Sequence, residues 1–121
     1  MESIRLILLI TFVSIFVRAD NMVRVSGVGE LVACDPRPED AVLYQGSVER
    51  ARRLLRRVQA ELNVSTGAAT IHCVRAVDNK GDGNAAEVSV VDGGVGSSRV
   101  ALRFQSQRGS GIHYTVTVSG K

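Results

Sequence analysis

Apolar and polar residues alternate along the chain from Ala69 to Lys121, and a period of two is typical of β-strands with one buried face. Two segments show the alternation best, 100–105 and 112–118. In the first, the apolar face consists of Val100, Leu102 and Phe104. In the second, it consists of Ile112, Tyr114, Val116 and Val118. Glycine-rich turns separate the segments, so the pattern predicts a β domain.

The same alternation predicts two more strands, at 70–77 and 85–91. Turns are predicted after them, at 78–84 and 92–98. Two short strand-like pieces precede them, at 22–25 and 30–33. Pro36 and Pro38 mark a loop between Asp35 and Asp40. Turns every eight to twelve residues or so favour an all-β fold, a small antiparallel sandwich or open barrel. Consecutive hairpins would make 69–118 a C-terminal four-stranded meander, which the earlier strands would cover.

A cluster of five arginines lies where the local pattern is ambiguous: Arg50, Arg52, Arg53, Arg56 and Arg57. The apolar residues around it follow helical spacing, which would place a helix near Val48 to Arg57 with Ser47 as a cap candidate. From Val58 to Ser65, however, apolar and polar residues alternate without a break. We therefore predict a strand from about Leu55 to Val64 and keep the helix as the alternative.

The N-terminus has the organisation of a secretory signal peptide. Arg5 precedes an apolar run from Leu6 to Val17, and Val17, Arg18 and Ala19 form a cleavage site before Asp20. A transmembrane anchor would need about 20 apolar residues, and this run is shorter. The sequence thus predicts a signal peptide at 1–19 and a single secreted β domain at 20–121, with no membrane span after cleavage.

Charge and composition narrow the choice of partner. Without residues 1–19, the chain has 13 basic and 11 acidic residues, a net charge of +2 that creates no strong field for nucleic acid. No signature of a DNA-reading module is present, so we expect no sequence-specific DNA binding. The arginine cluster is either a solvated face or a contact for an unknown protein or anionic macromolecule, such as nucleic acid, a sulfated glycan or an anionic membrane.

Two residue types suggest covalent modification in a secreted chain. Cys34 and Cys73 are predicted to form a disulfide, because an even cysteine count in an oxidising compartment favours one. Buried free thiols, or a catalytic cysteine paired with His72 or His113, are the alternatives. Asn63 begins the sequon Asn-Val-Ser and lies on the polar face of its predicted strand, so we expect it to carry a glycan.

No reaction can be read from the remaining polar residues. The turn with Asp78, Asp82 and Asn84 has the wrong spacing for an EF-hand, and its Asp, Asn and Gly residues suit a hairpin turn. His72 and His113 are expected to be solvated sheet residues, unlinked by spacing to an acid and a nucleophile. We predict no catalytic residues, no cofactor and no metal.

Two strings resemble the insect multiprotein bridging factor 2 family, RFQSQRGSGI at 103–112 and VRAVDNKGDGNAAEVSVVDGGVG at 74–96. Together they place the resemblance over about 71–118, and it implies a domain made of sheets. The family-signature turn consists of Ser106, Gln107, Arg108, Gly109 and Gly111. Ser110 departs from the pattern, since many relatives carry His there, so we assign no role to an imidazole in this turn.

The resemblance implies two settings. Many relatives look like secreted salivary, venom or haemolymph proteins, whereas the family name comes from a coactivator that bridges a DNA-bound regulator to the general transcription machinery. The signal peptide favours the first setting. We expect a secreted, non-enzymatic protein that acts by macromolecular binding, and a nuclear coactivator is the alternative.

Overall fold

The computed structural model describes residues 25–121, which form eight β-strands and no helix. The strands are β1 (Val25–Val28), β2 (Glu30–Cys34), β3 (Ala41–Arg50), β4 (Gln59–Ser65), β5 (Ile71–Asp78), β6 (Glu87–Gly93), β7 (Arg99–Gln105) and β8 (Ile112–Gly120). The all-β prediction is confirmed. The signal peptide at 1–19 lies outside the described residues, as does most of the piece at 22–25. Within the described part, no helix is long and apolar enough to cross a membrane.

The strands form two antiparallel four-stranded sheets, here called sheets A and B. Sheet A has the order β1-β6-β7-β4 and sheet B the order β2-β5-β8-β3. The sheets share no strand, so the fold is a sandwich and not a barrel. Each sheet contributes one apolar face to the core, which removes both faces from water.

The predicted C-terminal meander is wrong. Strands β6 and β7 form a hairpin in sheet A, whereas β5 and β8 pair with each other in sheet B. The chain therefore crosses between the sheets at 79–86 and again at 106–111. In a meander, all four strands would lie in one sheet, and their apolar face would need a separate layer to cover it. Because the chain crosses between the sheets, the apolar faces of β6 and β7 pack against those of β5 and β8.

The core confirms the predicted strand phasing. The seven residues assigned to the apolar faces of 100–105 and 112–118 are all buried. Phe104 of sheet A and Tyr114 of sheet B meet between the sheets, with ring centroids 5.1 Å apart and planes tilted by 50°. This tilted contact across the sheets is a favourable aromatic geometry and adds to the burial of both rings.

The segment around the arginines differs from both predictions. The strand predicted at about Leu55 to Val64 begins only at Gln59, and no helix forms near Val48 to Arg57. Val48 instead belongs to β3, a strand that the pattern did not predict. Strand β3 lies at the edge of sheet B, and its register shifts between Val42 and Tyr44, so it lacks a clean alternation.

Four connections cross from one sheet to the other at the same end of the sandwich, here called the crossing end. They are Gly29, 51–58, 79–86 and 106–111. The strand registers place them together, because Gln105 pairs with both Gln59 and Glu87 and because Arg50 pairs with Ile112. The chain thereby brings its arginines, its Asp- and Gly-containing turn and the family-signature turn to one end.

The disulfide predicted between Cys34 and Cys73 is present. These residues are register partners on β2 and β5. Cys34 is the last residue of β2, and this end of the strand is opposite to the crossing end. The disulfide therefore fastens an edge strand of sheet B to its neighbour at the opposite end of the sandwich from the arginines.

Candidate functional site

The arginine loop, defined as residues 50–58, leaves the end of β3 and crosses to β4. All five predicted arginines lie on it and are exposed. None of them forms a salt bridge with a carboxylate of residues 25–121. Four other arginines do so, namely Arg37, Arg75, Arg99 and Arg103, which pair with Asp35, Glu30, Asp92 and Glu61. The positive charge that the described residues leave uncompensated is therefore concentrated on this loop.

The family-signature turn holds the arginine loop in place through Ser106, which is 1% exposed. Its hydroxyl accepts a hydrogen bond from the Val58 N–H at 2.7 Å and donates to the Gln107 carbonyl at 3.0 Å. The Ser106 N–H donates to the Val58 carbonyl at 2.8 Å. Because these groups are withdrawn from water, each bond restrains the loop where it joins β4.

The two glycines of the signature act on the same contact. The Gly109 N–H donates to the Arg56 carbonyl at 2.8 Å, and Gly109 has a φ of 78°, which favours glycine. At Gly111, a Cβ would lie 2.5 Å from the Arg50 carbonyl oxygen, so a side chain would force the turn and the loop apart. The signature residues thus form a support for the arginine loop, a role that their sequence pattern did not indicate.

The apex of the arginine loop carries two leucines, whose spacing fits the helix that we kept as the alternative for this segment. Leu54 is 87% exposed and Leu55 is 73% exposed, the highest values among the large apolar residues described. Leu55 has a φ of 60°, in the left-handed region that bulky side chains rarely adopt. The flanking sequence was the available signal that these leucines are exposed, since two arginines precede them and two follow them.

A cleft of about 420 Å³ lies beside the loop at the crossing end. Arg50 and Arg52 line one side, and Ser110 and His113 lie on the side of the signature turn. Lys80 adds a third cation: its side chain is mostly buried, and its ammonium group donates to the Gly111 carbonyl at 3.0 Å. Glu49 and Asp82 also line the cleft, so its electrostatic character is mixed and the strongest positive charge lies on the loop.

The turn after β5 uses two of its carboxylate oxygens for internal hydrogen bonds. Asp78 Oδ2 accepts hydrogen bonds from the Lys80 and Gly81 N–H groups at 3.2 Å each, and Asp82 Oδ1 accepts from the Asn84 N–H at 2.9 Å. These bonds confirm the turn interpretation. Among residues 25–121, no group of three or more His, Cys, Asp or Glu side chains is placed to hold a metal.

The expectation that His72 is a solvated residue is wrong. Its Nδ1 lies 2.6 Å from Asp40 Oδ1, and both side chains are mostly buried. The hydrogen bond with His72 is the main cause that lowers the pKa of Asp40 below its ordinary value of 3.8. Within the described chain, no nucleophilic side chain hydrogen-bonds to this pair. The contact joins the loop before β3 to β5 and has a structural role.

Asn63 lies on the outer face of sheet A, where its side chain is exposed. It lies five residues along the chain from Val58, the end of the arginine loop, a distance of roughly 17 Å at the rise of a strand. A glycan there would project from the side of the sandwich and leave the crossing end open. The disulfide is likewise remote, so the structure brings together only the arginine cluster and the signature turn among the predicted site residues.

Comparison with known proteins gives two matches. The family model described as "Transcription activator MBF2" matches residues 35–120, which include β3 to β8. A protein of Bombus ignitus named "Probable salivary secreted peptide" is 40% identical over 48 residues, which cover 40% of this chain and 36% of that protein. No solved structure matches the chain. Because the family model covers most of the chain, this protein belongs to the transcription activator MBF2 family.

Proposed function

We propose that this protein is a secreted, non-enzymatic binding protein whose arginine loop contacts an anionic macromolecule. The observation that carries the proposal is the concentration of five exposed arginines, without carboxylate partners in residues 25–121, on one supported loop. Supporting a cationic loop by hydrogen bonds lowers the entropy lost when it binds. Neither the family description nor the relative's name refers to an enzymatic activity.

Secretion is supported by the N-terminal pattern, by the disulfide and by the name of the salivary relative. The family description supports the alternative, a nuclear coactivator that acts through protein contacts. Expression in insect cells separates the two. The secreted form is expected in the medium, with an N-terminus at about Asp20. If Asn63 carries a glycan, treatment with a glycan-removing amidase should change the electrophoretic mobility of the protein. Nuclear protein that retains Met1 would replace the proposal with the coactivator.

Binding through the loop is tested with immobilised heparin as a polyanionic probe. We expect retention that weakens as salt rises and that is lost when Arg52, Arg53, Arg56 and Arg57 are changed to Gln. The matched control changes the four paired arginines, Arg37, Arg75, Arg99 and Arg103, to Gln. Both variants lose the same charge, so equal loss of retention would show that net charge acts and not the loop.

A further inference from the structure

We propose that the anionic partner is a lipid membrane surface, into which Leu54 and Leu55 insert while the arginines of the loop contact the lipid headgroups. This inference rests on the proposed function and names its partner. The arginines account for attraction to any polyanion, but they do not explain the two leucines at the apex. The partner must therefore offer negative charge and, immediately beneath it, an apolar phase.

The position of the leucines supports insertion. They lie at the tip of a loop that crosses the end of the sandwich, and the part of the loop after the tip is fastened at Arg56 and Val58 by Gly109 and Ser106. Because Leu54 and Leu55 are 87% and 73% exposed, their apolar surface contributes little to the core. A projecting pair of this kind can enter the boundary between headgroups and acyl chains without any rearrangement of the fold.

The arrangement of charge is complementary to an anionic interface. Arg52 and Arg53 precede the leucines and Arg56 and Arg57 follow them, so cations lie on both sides of the apex. Arginine has a long apolar stem, which lets its guanidinium stay at the headgroup level while neighbouring residues lie deeper. Each basic residue close to an anionic leaflet strengthens attachment, and four of them act together here.

The backbone at the apex gives a third reason. Leu55 has a φ of 60°, a conformation in which Gly or Asn would be less strained. A bulky apolar residue at an exposed, unfavourable position gains little from packing within the described residues. Strain of this kind, held by the surrounding hydrogen bonds, is characteristic of binding loops.

Another exposed apolar side chain lies at the crossing end, beside an arginine of the loop. Val28, which is 65% exposed, lines a shallow cleft of about 180 Å³ together with Arg57. A sulfated glycan or a nucleic acid would use the arginines and leave these apolar side chains in water. Dependence of binding on the leucines therefore separates a membrane from those polyanions.

The test is sedimentation of the secreted, full-length mature protein with vesicles of phosphatidylcholine alone or mixed with phosphatidylserine. We expect binding to the mixed vesicles and not to phosphatidylcholine alone. The double variant Leu54→Ser, Leu55→Asn should weaken binding about tenfold or more, because two apolar side chains no longer insert. Changing the four loop arginines to Gln should weaken it about a hundredfold or more.

The matched control for the leucines is Val42→Ser, which removes an exposed apolar side chain at the far end of β3. It should bind mixed vesicles as well as the unchanged protein, and circular dichroism melts should show that every variant is folded. Vesicle binding that survives loss of the leucines would overturn the inference. Absence of vesicle binding, with heparin retention that still requires the loop arginines, would overturn it and leave the proposed function standing. Failure of both assays would overturn both proposals.

Discussion

Tyr114 is the residue at which the two sheets and the crossing end meet. Its ring lies in the core against Phe104, and its hydroxyl accepts a hydrogen bond from the Gly29 N–H at 2.9 Å. The same hydroxyl donates to the Ala86 carbonyl. One side chain on β8 therefore satisfies backbone groups in two of the four crossing connections, one partly buried at Gly29 and one buried at Ala86.

Replacing Tyr114 with Phe should lower the free energy of unfolding by about 1 to 3 kcal/mol, because the partly buried Gly29 N–H and the buried Ala86 carbonyl lose their partner. Burial raises the pKa of Tyr114 above 10.0. The unfolded chain therefore loses this proton first as pH rises, so the contribution of Tyr114 is complete below pH 10.0 and declines above it.

Urea melts at neutral pH and above pH 10.0 measure both effects. Thr117→Ala, which changes a residue on the outer face of β8, is the control and should cost little. The stability difference between the Tyr114→Phe variant and the unchanged protein should shrink at alkaline pH. A constant difference would contradict the assigned role of the hydroxyl.

At the scale of elements, the central feature is the pairing of the arginine loop with the signature turn. Apart from Arg50 at the end of β3, neither is part of a sheet, yet backbone hydrogen bonds join them at Val58 and at Arg56. The backbone of the loop also lies close to the turn at Gly111, where there is no room for a side chain. The position of the arginines therefore depends on residues about fifty positions later in the chain.

Changing Ser106 to Ala should cost about 1 to 3 kcal/mol, since the Val58 N–H loses a partially buried acceptor. The same change should loosen the arginine loop and weaken heparin retention, although no arginine is altered. Hydrogen exchange at Val58 and retention on heparin measure the two consequences. Ser110→Ala, in the same turn but outside these bonds to Val58, is the control. Unchanged exchange at Val58 would contradict the supporting role of Ser106.

At the scale of the whole molecule, binding and bracing features lie at opposite ends. The arginine loop and the signature turn occupy the crossing end. The disulfide lies at the other end, and the exposed Asn63 lies on the side of sheet A. This separation lets a glycan or a disulfide stabilise the domain without covering the proposed binding surface.

Changing Cys34 and Cys73 together to Ser should lower the free energy of unfolding by about 4 kcal/mol, because the disulfide closes a loop with a sequence separation of 39. Denaturant melts measure this loss. Since the crossing end is remote from the disulfide, the folded variant should keep its retention on heparin. Loss of retention without unfolding would show that the two ends are coupled.

The sequence by itself determined the features that depend on local pattern. The alternation in β7 and β8 assigned Leu102 and Tyr114 to the buried side correctly, because side chains on a strand alternate faces whatever its neighbours are. The turn with Asp78 and Asp82 was equally legible, since its hydrogen bonds join residues two or three positions apart. The cysteine count and the N-terminal pattern were sufficient to predict the disulfide.

The tertiary structure alone decided which strands share a sheet. Alternation is the same in a meander and in a sandwich, so 79–86 and 106–111 could not be recognised as crossings. The sequence pattern did not predict β3 for a related reason. This strand lies at the edge of sheet B, pairs only with β8 and contains a register shift, so its apolar and polar residues do not alternate regularly. Leu54 and Leu55 fit the spacing of the alternative helix, and only the crossing at 51–58 placed them at an exposed apex. Partner choice and exposure are set by contacts between distant segments, and those contacts leave no period in the sequence.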